Sequence, residues 1–291
     1  MATWYLVTSS FSREAGSPIA RVHGSRMIHR MEGRLVRAIG KTDVGLVRET
    51  NEDAFALVDL STGQRWQGRH PTEWRTTPSG VLLVVSDGMG GARAGEIASA
   101  LSVEGVLEGM LQGAKRGRPD GETLRRVIEQ ASHRVHEAGK RRPDRRGMGA
   151  TMTAVLLTGD TAFVAQIGDS RAYLLRDGEI GQITHDQSYV QMLVDAGVMT
   201  PEEATLSPRR NIILQVMGQE VVRVVLGRID VRPGDRLILC SDGLTNVVSD
   251  DALNEAAGAP AELVRASEDL IGRTLDEGAP DNVTVIVAEV R

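Results

Sequence analysis

Apolar residues recur along the chain in two rhythms. Short runs of strand length, rich in β-branched residues, occupy 81–86 (Val-Leu-Leu-Val-Val-Ser), 164–167, 237–240 and 283–288. Runs of this length, closed by glycine and acidic turn residues, predict buried strands. Residues 34–39 and 54–59 read as two further strands flanking an Asn51-Glu52-Asp53 turn. The second rhythm is helical: Ile97, Ala100, Leu101, Val103, Leu107, Met110 and Leu111 form one stripe, and Leu124, Val127, Ile128, Ala131 and Val135 another. Strands and helices come in blocks and do not strictly alternate, which favours an α+β fold over a doubly wound sheet.

Between these blocks the pattern is less regular. Residues 61–80, with Trp66, Pro71, Trp74 and Pro78, read as a loop or extended hairpin anchored by its tryptophans. Residues 185–218 read as helical and punctuated, and Thr200-Pro201-Glu202-Glu203 has the form of a capping box with proline at the first helical position. Residues 1–33 mix Ser, Arg, His and Gly with little period; they are expected to be a disordered N-terminal extension, or translation upstream of a start at Met27 or Met31. Residues 34–291 are then expected to form one domain.

Composition narrows the class. A chain of 291 residues with 41% hydrophobic content can bury a sizeable core. Its formal net charge of -5 argues against a dedicated nucleic-acid binder. The one cysteine, Cys240, lies in an apolar run and has no partner for an internal disulfide, which points to a reducing, cytoplasmic setting. No apolar run approaches the roughly 18 residues of a membrane helix, Trp4-Tyr5-Leu6-Val7 is too short for a signal peptide, and Arg291 follows the last predicted strand directly. A monomer with no membrane or nucleic-acid partner is expected.

The candidate chemistry is acidic. Asn51-Glu52-Asp53, Asp87-Gly88-Met89-Gly90-Gly91, Gly168-Asp169-Ser170-Arg171, Ser241-Asp242-Gly243-Leu244 and Pro280-Asp281-Asn282-Val283 each adjoin an apolar run. Asp-Gly alone is a common turn. Five such motifs on predicted strand ends can instead gather hard-cation ligands from distant parts of the chain, and a site of Asp and Glu without a His or Cys cluster suits Mg²⁺ or Mn²⁺.

In order and local sequence these motifs, with Gly45-Leu46-Val47-Arg48-Glu49-Thr50-Asn51-Glu52-Asp53, Gly147-Met148-Gly149-Ala150-Thr151 and Gly278-Ala279-Pro280-Asp281-Asn282-Val283-Thr284, resemble the metal-dependent Ser/Thr protein phosphatases (PPM, or type 2C) in their compact bacterial form. The resemblance covers residues 34–291. It implies a central antiparallel β-sandwich flanked by helix pairs, with residues 185–218 as a helical flap beside the cleft that influences substrate choice. It further implies hydrolysis of phosphoserine and phosphothreonine in proteins, counterparts of a Ser/Thr kinase, by two Mn²⁺ or Mg²⁺ ions and a water between them, with a possible third ion. Asp87 would bridge the two ions. Asp242 and Asp281 would complete one side, Glu52 and the Gly88 carbonyl the other, and Asp53 would support this shell from behind. Asp169 matches the position of the third, weaker ion, and Arg48 would grip the substrate phosphate through its planar fork.

One residue departs from part of the family. Eukaryotic members carry histidine where Met89 stands, and methionine cannot protonate a leaving alkoxide; a water in the metal site is the remaining candidate acid. Without the resemblance, Arg48 reads equally well as a surface partner of Glu49 or Glu52. His133 and His136 read as solvated helix residues, Cys240 as a buried thiol, and Ser170 lacks the nucleophile-elbow context. Lys140, Arg141, Arg142, Arg145 and Arg146 form a basic loop, solvated by default, that could attract acidic phosphoprotein segments. The alternatives are a phosphatase dedicated to an anti-sigma-factor antagonist and a pseudophosphatase that only binds phosphoproteins; a metal-dependent nuclease is disfavoured by the charge balance.

Overall fold

A computed structural model describes residues 33–90, 94–258 and 262–291. The expected N-terminal extension lies outside the described residues up to position 32.

Two antiparallel sheets face each other. One runs in the order β10 (Glu179–Gln182), β9 (Arg171–Arg176), β12 (Arg236–Cys240), β13 (Val283–Val290), β1 (Leu35–Asp43), β4 (Thr72–Arg75). The other runs β11 (Val225–Asp230), β8 (Thr161–Ile167), β7 (Met152–Thr158), β5 (Val81–Met89), β2 (Asp53–Asp59), β3 (Gln64–Arg65), with a two-residue strand β6 (Gly149–Ala150) paired to the end of β5. The continuous apolar runs follow from burial on both faces of a strand. In β5, Val81, Leu83 and Val85 pack between the sheets, while Leu82 and Val84 face helices. In β13, Ile286, Ala288 and Val290 point inward and Val283, Val285 and Val287 outward onto a second helical layer.

The two apolar stripes do form helices, α1 (Ala94–Arg116) and α2 (Gly121–Lys140), although Ala100 is exposed, and the two lie together on the sheet that contains β5, as the family resemblance implies. Asp120 caps α2, its side chain accepting from Thr123 N at 2.8 Å. The flap segment contains α3 (Tyr189–Asp195) and α4 (Pro201–Leu206). The capping box on α4 is formed: Thr200 Oγ1 accepts from Glu203 N at 3.2 Å, and Glu203 Oε2 accepts from Thr200 N at 2.9 Å. The other sheet is covered by α5 (Asp242–Thr245), α6 (Asp250–Ala257) and α7 (Leu263–Asp276). Trp74 is buried between the sheets and Trp66 packs on Phe55 with ring centroids 6.1 Å apart, so both tryptophans anchor their segment. Among the described residues no helix is long and apolar enough to cross a membrane.

Two expectations need correction. The strand at 81 does not stop before Asp87 but runs through Asp87, Gly88 and Met89, because β2 pairs Asp53 with Asp87 and β6 pairs with Gly88 and Met89. His136 is not simply solvated: it is half-buried and its Nδ1 lies 2.8 Å from the Gly218 carbonyl, where it holds the end of the flap segment to α2 together with the Ser132 hydroxyl, which accepts from Gly218 N at 3.0 Å.

Candidate active site

The acidic motifs converge at one end of the sheet pair. Asp53 stands opposite Asp87 in the β2–β5 register. Asp242 opens α5 just after β12, Asp281 precedes β13, and Asp169 sits in the turn between β8 and β9, where the chain crosses from one sheet to the other. Glu52 is held by its backbone. Its N–H donates to Asn282 Oδ1 at 2.8 Å, and its carbonyl accepts from Gly88 N at 3.1 Å and from Ser99 Oγ at 2.5 Å.

Two glycines allow α1 to approach. A Cβ on Gly88 would lie 2.2 Å from the Gly95 carbonyl oxygen and 2.6 Å from that of Glu52, and a Cβ on Gly95 would lie 2.7–2.9 Å from the Glu52 carboxylate. Only hydrogen at both positions lets α1, β5 and Glu52 share this space.

The carboxylates are crowded into a low-dielectric cleft. Burial, followed by the charges of Asp53 and Asp242, pushes Asp87 well above the usual carboxylate range. Burial raises Asp242 as well, and the Asp87 and Asp242 side chains lie within hydrogen-bonding reach of each other. Asp169 is raised by burial and by the nearby Asp242 and Asp186. Asp53 is pushed up to about 7, burial outweighing its hydrogen bonds from Thr284 and Ser241. Burial also raises Glu52. Arg48 donates to Asp281 Oδ2 at 2.7 Å, a partner 233 positions away and neither of the two acids nearest it in sequence; this contact is the main cause of its raised pKa.

Asp53 Oδ1, Asp169 Oδ1 and Asp242 Oδ1 are buried with no hydrogen-bond donor. An orphaned buried carboxylate oxygen costs several kcal/mol unless a cation meets it. Among the described residues no three His, Cys, Asp or Glu side chains already close a cage around one ion. That fits hard cations that retain much of their water and touch few carboxylates each. The donor set, all oxygen, suits Mg²⁺ or Mn²⁺.

Sequence reasoning missed the residues that hold these acids. Ser241 Oγ donates to Asp53 Oδ2 at 2.8 Å and accepts from Thr284 N at 2.9 Å, tying the two sheets together behind the site. Asn282 Nδ2 donates to the Val44 and Thr50 carbonyls, both at 2.9 Å, and so clips the β1–β2 loop that carries Arg48 and Glu52. Thr151 Oγ1 accepts from Asp87 N at 2.8 Å. Arg171 forks onto Asp186 and reaches the Tyr173 hydroxyl. Ser241, Asn282 and Arg171 lie inside quoted acidic motifs, and Thr151 closes the quoted Gly147–Thr151 stretch, so a polar residue within a motif was the available signal. Cys240 beneath them is buried, its thiol pushed up to about 12 by desolvation, and takes no part.

Residues 59–277 match the family described as Protein phosphatase 2C. The chain is 39% identical over 259 residues to the serine/threonine protein phosphatase PstP of Mycobacterium tuberculosis, covering 88% of this chain and 45% of that protein; it thus spans less than half of that relative's length. It is 31% identical over 252 residues to the serine/threonine phosphatase stp of Listeria monocytogenes, covering 86% of this chain and 94% of that one. The crystal structure of the PstP catalytic domain in complex with two manganese ions matches with a TM-score of 0.72 at 37% identity, over 88% of this chain and 99% of that one. With its acids gathered at one end of two packed antiparallel sheets, the chain belongs to the protein phosphatase 2C family, the metal-dependent Ser/Thr protein phosphatases of PPM type.

Proposed function

We propose that this chain hydrolyses phosphoserine and phosphothreonine in the protein targets of a Ser/Thr kinase, in the cytoplasm, with Mn²⁺ or Mg²⁺ held by Asp87, Asp242, Asp281, Glu52 and the Gly88 carbonyl, and a third ion at Asp169. The observation that carries this reading is the set of three buried, donor-less carboxylate oxygens beside the strongly raised Asp87. When bound, divalent ions supply charge neutralisation at phosphorus and a water acidified towards neutral pH, which a reaction as slow as phosphate-monoester hydrolysis requires.

The side chains do the rest. Arg48, half exposed at the rim and already oriented by Asp281, offers its remaining donors to the phosphate oxygens. Asp53, held by Ser241, keeps the acidic face of the cleft in place from behind. Met89 has no exchangeable proton, so no side chain at that position protonates the leaving oxygen. The relative solved with two manganese ions supports the two-ion reading. A pseudophosphatase is the weaker alternative, because orphaned acids would destabilise such a protein without serving it.

The test is hydrolysis of a phosphothreonine peptide with Mn²⁺, with chelator, and by Asp87→Asn in Mn²⁺. Turnover only in the first condition is expected; no turnover by folded wild type with either ion would overturn the reading.

A further inference from the structure

The basic loop is not explained by the fold. Of its cations, Lys140 ends α2, where a positive charge is favoured, and lies 3.9 Å from Glu137. Arg142 is paired with Asp144 by two hydrogen bonds of 3.0 and 3.1 Å, which also neutralises the loop's acid. Arg141, Arg145 and Arg146 have no side-chain hydrogen bond or ion pair among the described residues, and Arg145 Nε is buried without an acceptor. Arg141 and Arg146 are exposed. Asp144 also feels the charge of Arg145, so this one acid faces two arginines while Arg141 and Arg146 have no acidic partner among the described residues; on a chain of net charge -5, the loop makes a local positive field against the trend of the molecule.

The loop's backbone is ordered and its place is set by the metal strand. Arg145 N donates to the Arg142 carbonyl, Arg146 N to that of Pro143 and Met148 N to that of Arg145, and Met148 is buried against α2. The next residues, Gly149 and Ala150, form β6, whose register places Gly149 opposite Met89 and Ala150 opposite Gly88. Counting along extended chain and across one strand pair, the Arg146 backbone is within about 22 Å of Asp87. About seven residues of extended peptide cover that span.

We infer that Arg141, Arg145 and Arg146 form a docking surface for an acidic segment, a run of Asp and Glu, lying within about seven residues of the phosphorylated residue in a protein substrate. This inference rests on the proposed phosphatase reading and adds the substrate class. The backbone beneath the guanidinium groups is already a hydrogen-bonded turn, so ordering is confined to the arginine side chains when a carboxylate arrives. Attraction of this kind acts on peptide capture and on rate of encounter, and it is screened by salt.

The test compares two fluorescent phosphothreonine peptides, identical except for a flank of Asp and Glu or of Ser and Gln. Anisotropy gives their Kd, and steady-state kinetics with Mn²⁺ give kcat/KM, for wild type and for an Arg141→Ser/Arg146→Ser variant that leaves the partly buried Arg145 in place. Wild type is expected to prefer the acidic peptide roughly three- to tenfold in both readouts. The preference should fall towards one in the variant and at high ionic strength, while hydrolysis of para-nitrophenyl phosphate is unchanged. Equal binding of both peptides by wild type, or a preference that survives in the variant, overturns the inference. Loss of para-nitrophenyl phosphate hydrolysis by wild type would count against the phosphatase reading itself, and anisotropy would still decide the docking surface.

Discussion

At the scale of single residues, two neighbouring glycines are expected to fail in different ways. A Cβ at Gly88 meets backbone carbonyls of Gly95 and Glu52, which cannot move without separating α1 from β2 and β5. Gly88→Ala should therefore lower stability by more than about 2 kcal/mol in chemical denaturation. A Cβ at Gly95 meets only the tip of the Glu52 side chain, which can swing away. Gly95→Ala should keep the fold and raise the Mn²⁺ concentration needed for half-maximal turnover; an unchanged metal dependence would remove Glu52 from the proposed ion site.

Among elements, the flap differs from the sheets beneath it. Helix α4 buries only Ala204, while Met192, Val198, Leu206 and Ile212 of the same segment remain exposed. Few buried contacts mean that its order depends on local devices. Thr200→Ala removes the bond that Thr200 Oγ1 accepts from Glu203 N and leaves the backbone N–H of residue 200 free to donate to Glu203, a loss of about 1 kcal/mol. Amide exchange and proteolysis should therefore quicken across residues 200–206, with the global melting temperature nearly unchanged. The buried strands behave differently, because alternate side chains pack between the sheets and against helices, so both faces are held.

For the whole molecule, the acidic cleft makes stability depend on pH and metal together. Asp53, Asp87, Asp169 and Asp242 all have pKa values raised in the folded state, so the folded protein binds more protons than the unfolded chain between their two sets of values. Their contribution is most favourable below the ordinary carboxylate range and is lost as pH rises, through about 7 in the case of Asp53. Chelated protein should accordingly melt at a lower temperature at pH 7.5 than at pH 5.5. Saturating Mn²⁺ at pH 7.5 should reverse that loss, by about 2.7 kcal/mol at one hundred times its dissociation constant. A melting temperature of the chelated protein that rises over this interval would contradict the crowded, ion-less cleft.

Patterns that local burial imposes could be read along the chain. The double-sided strands at 81 and 283, the stripes of α1 and α2 and the cap at Thr200 were all legible, because each is a pattern among chain neighbours. The acidic motifs that gather at one end of the sheets were legible too, through their order and the family they resemble. Which groups meet across the fold was decided only by tertiary structure. The sheet register sets Asp53 against Asp87, and packing brings Arg48 to Asp281, Ser241 between Asp53 and Thr284, and His136 to Gly218. Those partners lie from tens to more than two hundred positions apart. Periodicity carries no record of them, since it reports which face of an element is buried and never what is packed against it.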